Sequence, residues 1–121
     1  MATATKTARS FQTSATQTAG AGDTTGTGVN LTTALGCVIT AKIVNGGTGP
    51  TVPAYVIIQV SNDNSDYMEF ARATAGVANS TTYIFTFVLP AGVMYARTVF
   101  GGNTAQNVTI EADGHELTSI G

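Results

Sequence analysis

The stretch Thr82-Tyr83-Ile84-Phe85-Thr86-Phe87-Val88-Leu89 decides the fold. Tyr83, Phe85, Phe87 and Leu89 fall on one side of an extended chain, and Ile84, Thr86 and Val88 on the other. Every residue is aromatic, β-branched or leucine, a composition that suits a pleated, half-buried strand. No convincing i, i+3, i+4, i+7 stripe bounded by caps runs through it, so little helix is expected.

The same period recurs on both sides. In Cys37–Val44, Ile39, Ala41 and Ile43 oppose Thr40 and Lys42. In Ala54–Ser61, Val56, Ile58 and Val60 oppose Tyr55, Ile57 and Gln59. Val108, Ile110 and Ala112 oppose Thr109, Glu111 and Asp113. Further strands are expected at Asn30–Ala34, Tyr67–Thr74, Met94–Phe100 and Leu117–Ile120. Gly, Pro, Asn and Asp clusters break the chain between them, as at Gly46–Pro53, Asn62–Asp66 and Gly101–Thr104. Short strands at this spacing predict an all-β protein, a single antiparallel β-sandwich of jelly-roll or immunoglobulin-like type. At 121 residues there is material for one domain.

Residues 1–28 have a different texture. They carry nine threonines, and after Met1 the only large apolar side chain is Phe11. Such a segment cannot offset its ordering entropy by burial within itself. It reads as an extended, flexible N-terminal arm with one strand at Arg9–Thr18, followed by the sandwich domain over residues 29–121. Phe11 is the side chain with which the arm would grip a neighbour.

Charge sets the expected role. Asp, Glu, Lys and Arg make up 10% of the chain, against about 25% in ordinary soluble domains. A surface of Thr, Ser, Asn, Gln, Ala and Gly is easily desolvated against a neighbour. Two strands, Tyr55–Val60 and Tyr83–Leu89, carry apolar residues on both faces, though a sandwich this small has no third layer to cover them. Ile57, or Ile84 with Val88, is therefore expected to form a contact surface. The net charge of −2 with five scattered basic residues argues against nucleic-acid binding. No apolar run approaches the ~20 residues of a membrane span. The start of the chain lacks the apolar core of a secretory signal, so synthesis in a cytoplasm is expected.

Candidate chemistry fails position by position. His115 is the sole histidine and follows Gly114, so it reads as an exposed turn residue without a serine-and-acid constellation. Cys37 is the sole cysteine and reads as a small buried hydrophobe. Asn62, Asn64 and Asp66 mimic the start of a calcium loop. Tyr67 then stands where Gly is needed, and no Glu closes the loop. Gly46-Gly47-Thr48-Gly49 lacks the lysine of a phosphate loop. No catalytic residue, cofactor or metal site is expected.

Four stretches carry a resemblance: Ala41–Pro53, Val56–Phe70, Gly92–Arg97 and Gly102–Glu111. Together, over about residues 36–119, they resemble small virion structural proteins of tailed bacteriophages, in particular the head-decoration, or cement, group built on a β-sandwich. The resemblance implies a homo-oligomer, expected as a trimer, seated on the major capsid protein or another virion protein and stabilising the lattice. It implies no catalytic residues. A tail or baseplate component is a variant of the same reading. The alternative is a carbohydrate-binding or adhesin-type module, for which Tyr55, Tyr67 and Tyr83 would supply stacking rings.

Overall fold

The computed structural model describes residues 4–120. Nine strands run in the order β1 (Ala4–Gln17), β2 (Thr24–Thr25), β3 (Val29–Asn30), β4 (Cys37–Asn45), β5 (Tyr55–Ser61), β6 (Tyr67–Thr74), β7 (Thr82–Leu89), β8 (Tyr95–Gly101) and β9 (Val108–Ile120). Sheet A has the order β1-β9-β4-β7, and sheet B the order β2-β8-β5-β6 with β3 also paired to β8. All pairings are antiparallel. The two sheets pack face to face as a β-sandwich, as the alternation predicts.

The core is the set of inward positions. Ile39, Ala41 and Ile43 from β4, Val56 and Ile58 from β5, Ala96 and Phe100 from β8, and Ile110 and Ala112 from β9 are fully buried. Each is an every-second residue of its strand, so one register places the whole apolar set between the sheets. A slip by one residue would turn each set to water. Burying these side chains at about 25 cal/mol per Å² is the dominant favourable term for this fold.

The N-terminal segment differs from the expected arm. Ala4–Gln17 is a full strand of sheet A, paired along β9 from Ala4↔Ile120 to Gln17↔Val108. Phe11 is 3% exposed and belongs to the core. The residues that follow are strapped over sheet B: Thr24 and Thr25 pair with Phe100 and Val99, and the Gly26 amide donates to the Thr98 carbonyl at 2.8 Å. Buried Gln17 and Asn103 fasten the strap. The Asn103 amide donates to the Gln17 carbonyl at 3.1 Å, and the Gln17 amide to the Gly22 carbonyl at 3.1 Å. A threonine-rich segment poor in apolar residues is held here by main-chain pairing and by one aromatic anchor. The boundary at residue 28 is not a structural break. Residues 1–3 lie outside the described residues.

The C-terminal strand also runs further than expected. Val108–Ala112 and Leu117–Ile120 are parts of one strand, and Asp113-Gly114-His115 is its middle. Gly114 is there for space. A Cβ at this position would meet Phe11 Cε2 at 2.8 Å and the Val38 carbonyl oxygen at 2.8 Å. Gly28 is a second such case, because a Cβ there would collide with the Tyr67 hydroxyl and Asn64 side chain of the β5–β6 hairpin.

Candidate interaction surface

The outer face of sheet A is built from the odd-man positions of its strands. Register aligns Val88 of β7, Val38 of β4 and His115 of β9 in one row. Thr86, Thr40 and Asp113 form the next, then Ile84, Lys42 and Glu111. Ile84 is 58% exposed and Val88 69% exposed. Val38 and Leu35 are also exposed. Around the Val88 end an open groove is lined by Leu35, Val38, Val88, Pro90, His115 and Leu117. The face is thus apolar at one end, hydroxylated in the middle and charged at the other. Contiguous exposed apolar side chains of this kind mark a surface that another molecule covers.

Further apolar side chains stand at the β7 edge of sheet A and the β6 edge of sheet B. Tyr83, Phe85 and Phe87 of β7 point inward but are only half-buried. On β6, Met68 is 70% exposed and Phe70 is exposed as well. Val60, Met68, Phe70 and Val93 border a shallow cavity that also touches the Asn62–Asp66 turn.

The outer face of sheet B is closed by its own side chains. The Arg72 guanidinium lies 5.0 Å from the Tyr55 ring centroid and donates to Glu69 at 2.8 Å. That of Arg97 lies 3.8 Å from the Tyr67 ring centroid, and its Nε donates to Gln59 at 2.7 Å. The Tyr55 hydroxyl donates to Asp23 at 2.6 Å. This bond is the main cause of a raised Tyr55 pKa. Within this layer Ile57, aligned between Arg72 and Val99, is 7% exposed. Arginine stems and tyrosine rings cover apolar area while their polar ends stay wet.

These positions sort the four residues expected at an interface. Ile84 and Val88 stand on the open outer face of sheet A, each two residues from Thr86. Phe11 and Ile57 do not join them. Phe11 is in the core because β1 completes sheet A, and Ile57 is covered because sheet B supplies its own outer layer. Val38, Leu35, Met68 and Phe70 are further exposed apolar residues. Val38 was legible, since it alternates with the buried Ile39 on the same strand; Leu35 lies in a turn, where no periodicity assigns a face.

The remaining polar candidates are structural. Asp63 accepts hydrogen bonds from the Ser65 and Asp66 amides at 2.9 Å each, and from the Ser61 hydroxyl at 2.9 Å. The Asp66 and Ser65 amides are the leading causes that hold its carboxyl down at about 2. The Asn62–Asp66 run is therefore an Asx-type hairpin turn. Buried Cys37 has its thiol pushed up to about 11, chiefly by desolvation and then by Glu116. His115 is exposed in mid-strand, not on a turn, because Gly114 serves packing. Glu116 is buried and receives Arg9 Nη1 at 3.0 and 3.1 Å, and the same nitrogen donates to the Asn30 carbonyl at 3.1 Å. Among the described residues no three His, Cys, Asp or Glu side chains are grouped to hold a metal ion.

No protein-family model matches the chain, and no curated protein matches it in sequence. Solved structures do resemble it. A protein of the disulfide-linked pili that form Bacillus endospore appendages superposes with a TM-score of 0.56 at 14% identity, covering 97% of this chain and 92% of that one. The SPBc2 prophage-derived protein YomS gives 0.53 at 15%, covering 98% and 96%. A chain of infectious bursal disease virus, Gx strain, gives 0.54 at 13%, covering 98% of this chain and 32% of that one. At these identities the likeness establishes the shared fold, a two-sheet antiparallel β-sandwich found in pilus, prophage and virus structures.

Proposed function

We propose that this chain is a non-enzymatic virion structural protein, a capsid decoration or cement protein that works as a homo-oligomer, with a trimeric ring as the expected form on the particle. The observation that carries the reading is the exposed apolar patch at the Val88 end of the outer face of sheet A, Val88 with Val38 and Leu35, with Ile84 exposed further along the same strand. On a chain this poor in charge such a face is stable in water only at modest cost, and is readily covered by a major capsid protein. In a lattice many weak contacts act together, so each contact can be small. The resemblance of residues 36–119 to head-decoration proteins supports the same reading.

The carbohydrate-binding alternative loses its stacking platform. Tyr55 and Tyr67 each have a guanidinium over the ring, and Tyr83 points inward with its hydroxyl accepting the Ala78 amide at 3.3 Å. The test is addition of the purified chain to particles stripped of their accessory proteins, with electron microscopy of the product. Ordered density on the head shell, lost in the Val88→Lys variant, is the expected result. Density on the tail alone moves the protein to the baseplate variant, and absence from both overturns the reading.

A further inference from the structure

An antiparallel sheet with free edges exposes unpaired amides and carbonyls, and stable proteins guard such edges with charges, prolines, bulges or brevity. This sandwich guards all of its edges but one. β1 carries Lys6 and Arg9 and is broken by three register shifts against β9. β6 carries Glu69 and Arg72, and its pairing with β5 shifts between Ile58 and Gln59. β2 and β3 are two residues each. β7 has none of these protections. It is eight residues long, it runs in unbroken register with β4, and it has no proline. From Ala73 to Ala96 the chain carries no charged residue.

The sequence of that edge is also self-complementary. Thr86 is its centre, with Phe85 and Phe87 on either side, then Ile84 and Val88, then Tyr83 and Leu89. In an antiparallel pair, directly opposite residues share a face of the sheet. A two-fold axis through Thr86 therefore sets Phe85 against Phe87 and Tyr83 against Leu89 on the inner side. On the outer side it sets Ile84 against Val88. No inward residue is turned outward by this register.

From these two observations we infer that β7 pairs antiparallel with β7 of a second copy of this chain, centred on Thr86, to make a continuous eight-stranded sheet of order β1-β9-β4-β7-β7-β4-β9-β1. The pairing satisfies the open edge and lets the half-buried Tyr83, Phe85 and Phe87 cover one another. It also joins the Ile84 and Val88 rows of two copies into one longer apolar strip. The inference rests on the reading of this chain as a self-assembling protein and names the contact. Because an isologous contact closes at two copies, it would link two rings and leave the three-fold contact to another surface.

Disulfide trapping in the full chain tests the register. Either kind of antiparallel pair places opposite Cα atoms about 4.5–5.5 Å apart, within the reach of a disulfide. Thr86→Cys under mild oxidation is expected to give a linked dimer as the main product. Ile84→Cys alone is expected to give little, because its own copy lies four residues along the strand, about 14 Å away at about 3.4 Å per residue. An equal mixture of Ile84→Cys and Val88→Cys is expected to give the mixed dimer. The parent chain, whose buried Cys37 is shielded, serves as the blank. Light scattering of Thr86→Lys, a substitution on an exposed face, is expected to show the mass halved with the circular dichroism unchanged. A Thr86→Cys protein that stays unlinked, or a Thr86→Lys protein that keeps its assembled mass, overturns the pairing. Binding to particles without the cross-link removes this contact and leaves the virion reading. A cross-linked dimer that no particle takes up does the reverse.

Discussion

The ring of Phe11 lies over Gly114 so closely that a Cβ on Gly114 would approach Phe11 Cε2 to 2.8 Å. This contact ties the first strand to the last. Phe11→Ala removes a ring that is 3% exposed and is expected to destabilise by about 3–5 kcal/mol. Gly114→Ala crowds both the ring and the Val38 carbonyl and is expected to cost about 1–3 kcal/mol. Urea unfolding of the two variants checks both values. Amide exchange should find β1 protected along its pairing with β9, which a loose arm would not be.

Arg9 and Glu116 make a second tie between the same strands. Glu116 is buried, so Arg9→Ala leaves a carboxylate without its charged donor, at an expected cost of about 1.5–3 kcal/mol. Arg9→Lys should recover part of the loss but not all, since one point charge replaces a planar donor group. Denaturant midpoints at equal m-values would measure the difference.

The Asp63 turn gives an acid signature. Its carboxyl is held at about 2, below the ordinary value of 3.8, so its contribution to stability is present above about pH 4. That contribution is lost as the pH falls from about 4 to 2. Asp63→Asn should flatten this part of the stability profile and weaken the β5–β6 hairpin at neutral pH. Thermal melts across the acid range provide the check.

Cys37 gives the opposite sign. Its thiol is raised from 9.0 to about 11, so the stability it lends is full below pH 9 and declines as the pH rises towards 11. At pH 8 a thiol reagent should label the folded chain at least tenfold more slowly than the chain in guanidinium. Fast labelling of the folded protein would mean that strand β4 opens readily.

Much of the sandwich was legible because period-2 alternation is strong in its central strands. Tyr67–Thr74 and Thr82–Leu89 fall where the pattern puts them, and Cys37–Asn45 and Tyr55–Ser61 lie within one residue of it. β1 and β9 were harder for a physical reason. β1 is held by backbone pairing and one aromatic ring, and a run of threonines carries no amphipathic signature. Asp113-Gly114 has the composition of a turn, yet the glycine answers to the ring of Phe11, about a hundred residues away in sequence. At the surface, Ile84 and Val88 were legible from two-sided apolarity. Ile57 shows the same pattern but is buried, aligned between Arg72 and Val99 of the neighbouring strands, and only strand order reveals that.

The placement of β1 beside β9 has a consequence for how the molecule is made. Of the nine strands described, β1 leaves the ribosome before the other eight and its sheet neighbour β9 leaves after them. Sheet A cannot be completed during synthesis until that late strand emerges, and Phe11 waits in solvent meanwhile. Such a distant pairing slows folding, and it leaves the β9 side of β4 uncovered during the wait. Maturation of this protein should therefore depend on timing: a pause in translation before β9 would lengthen the interval in which nascent chains can stick to one another.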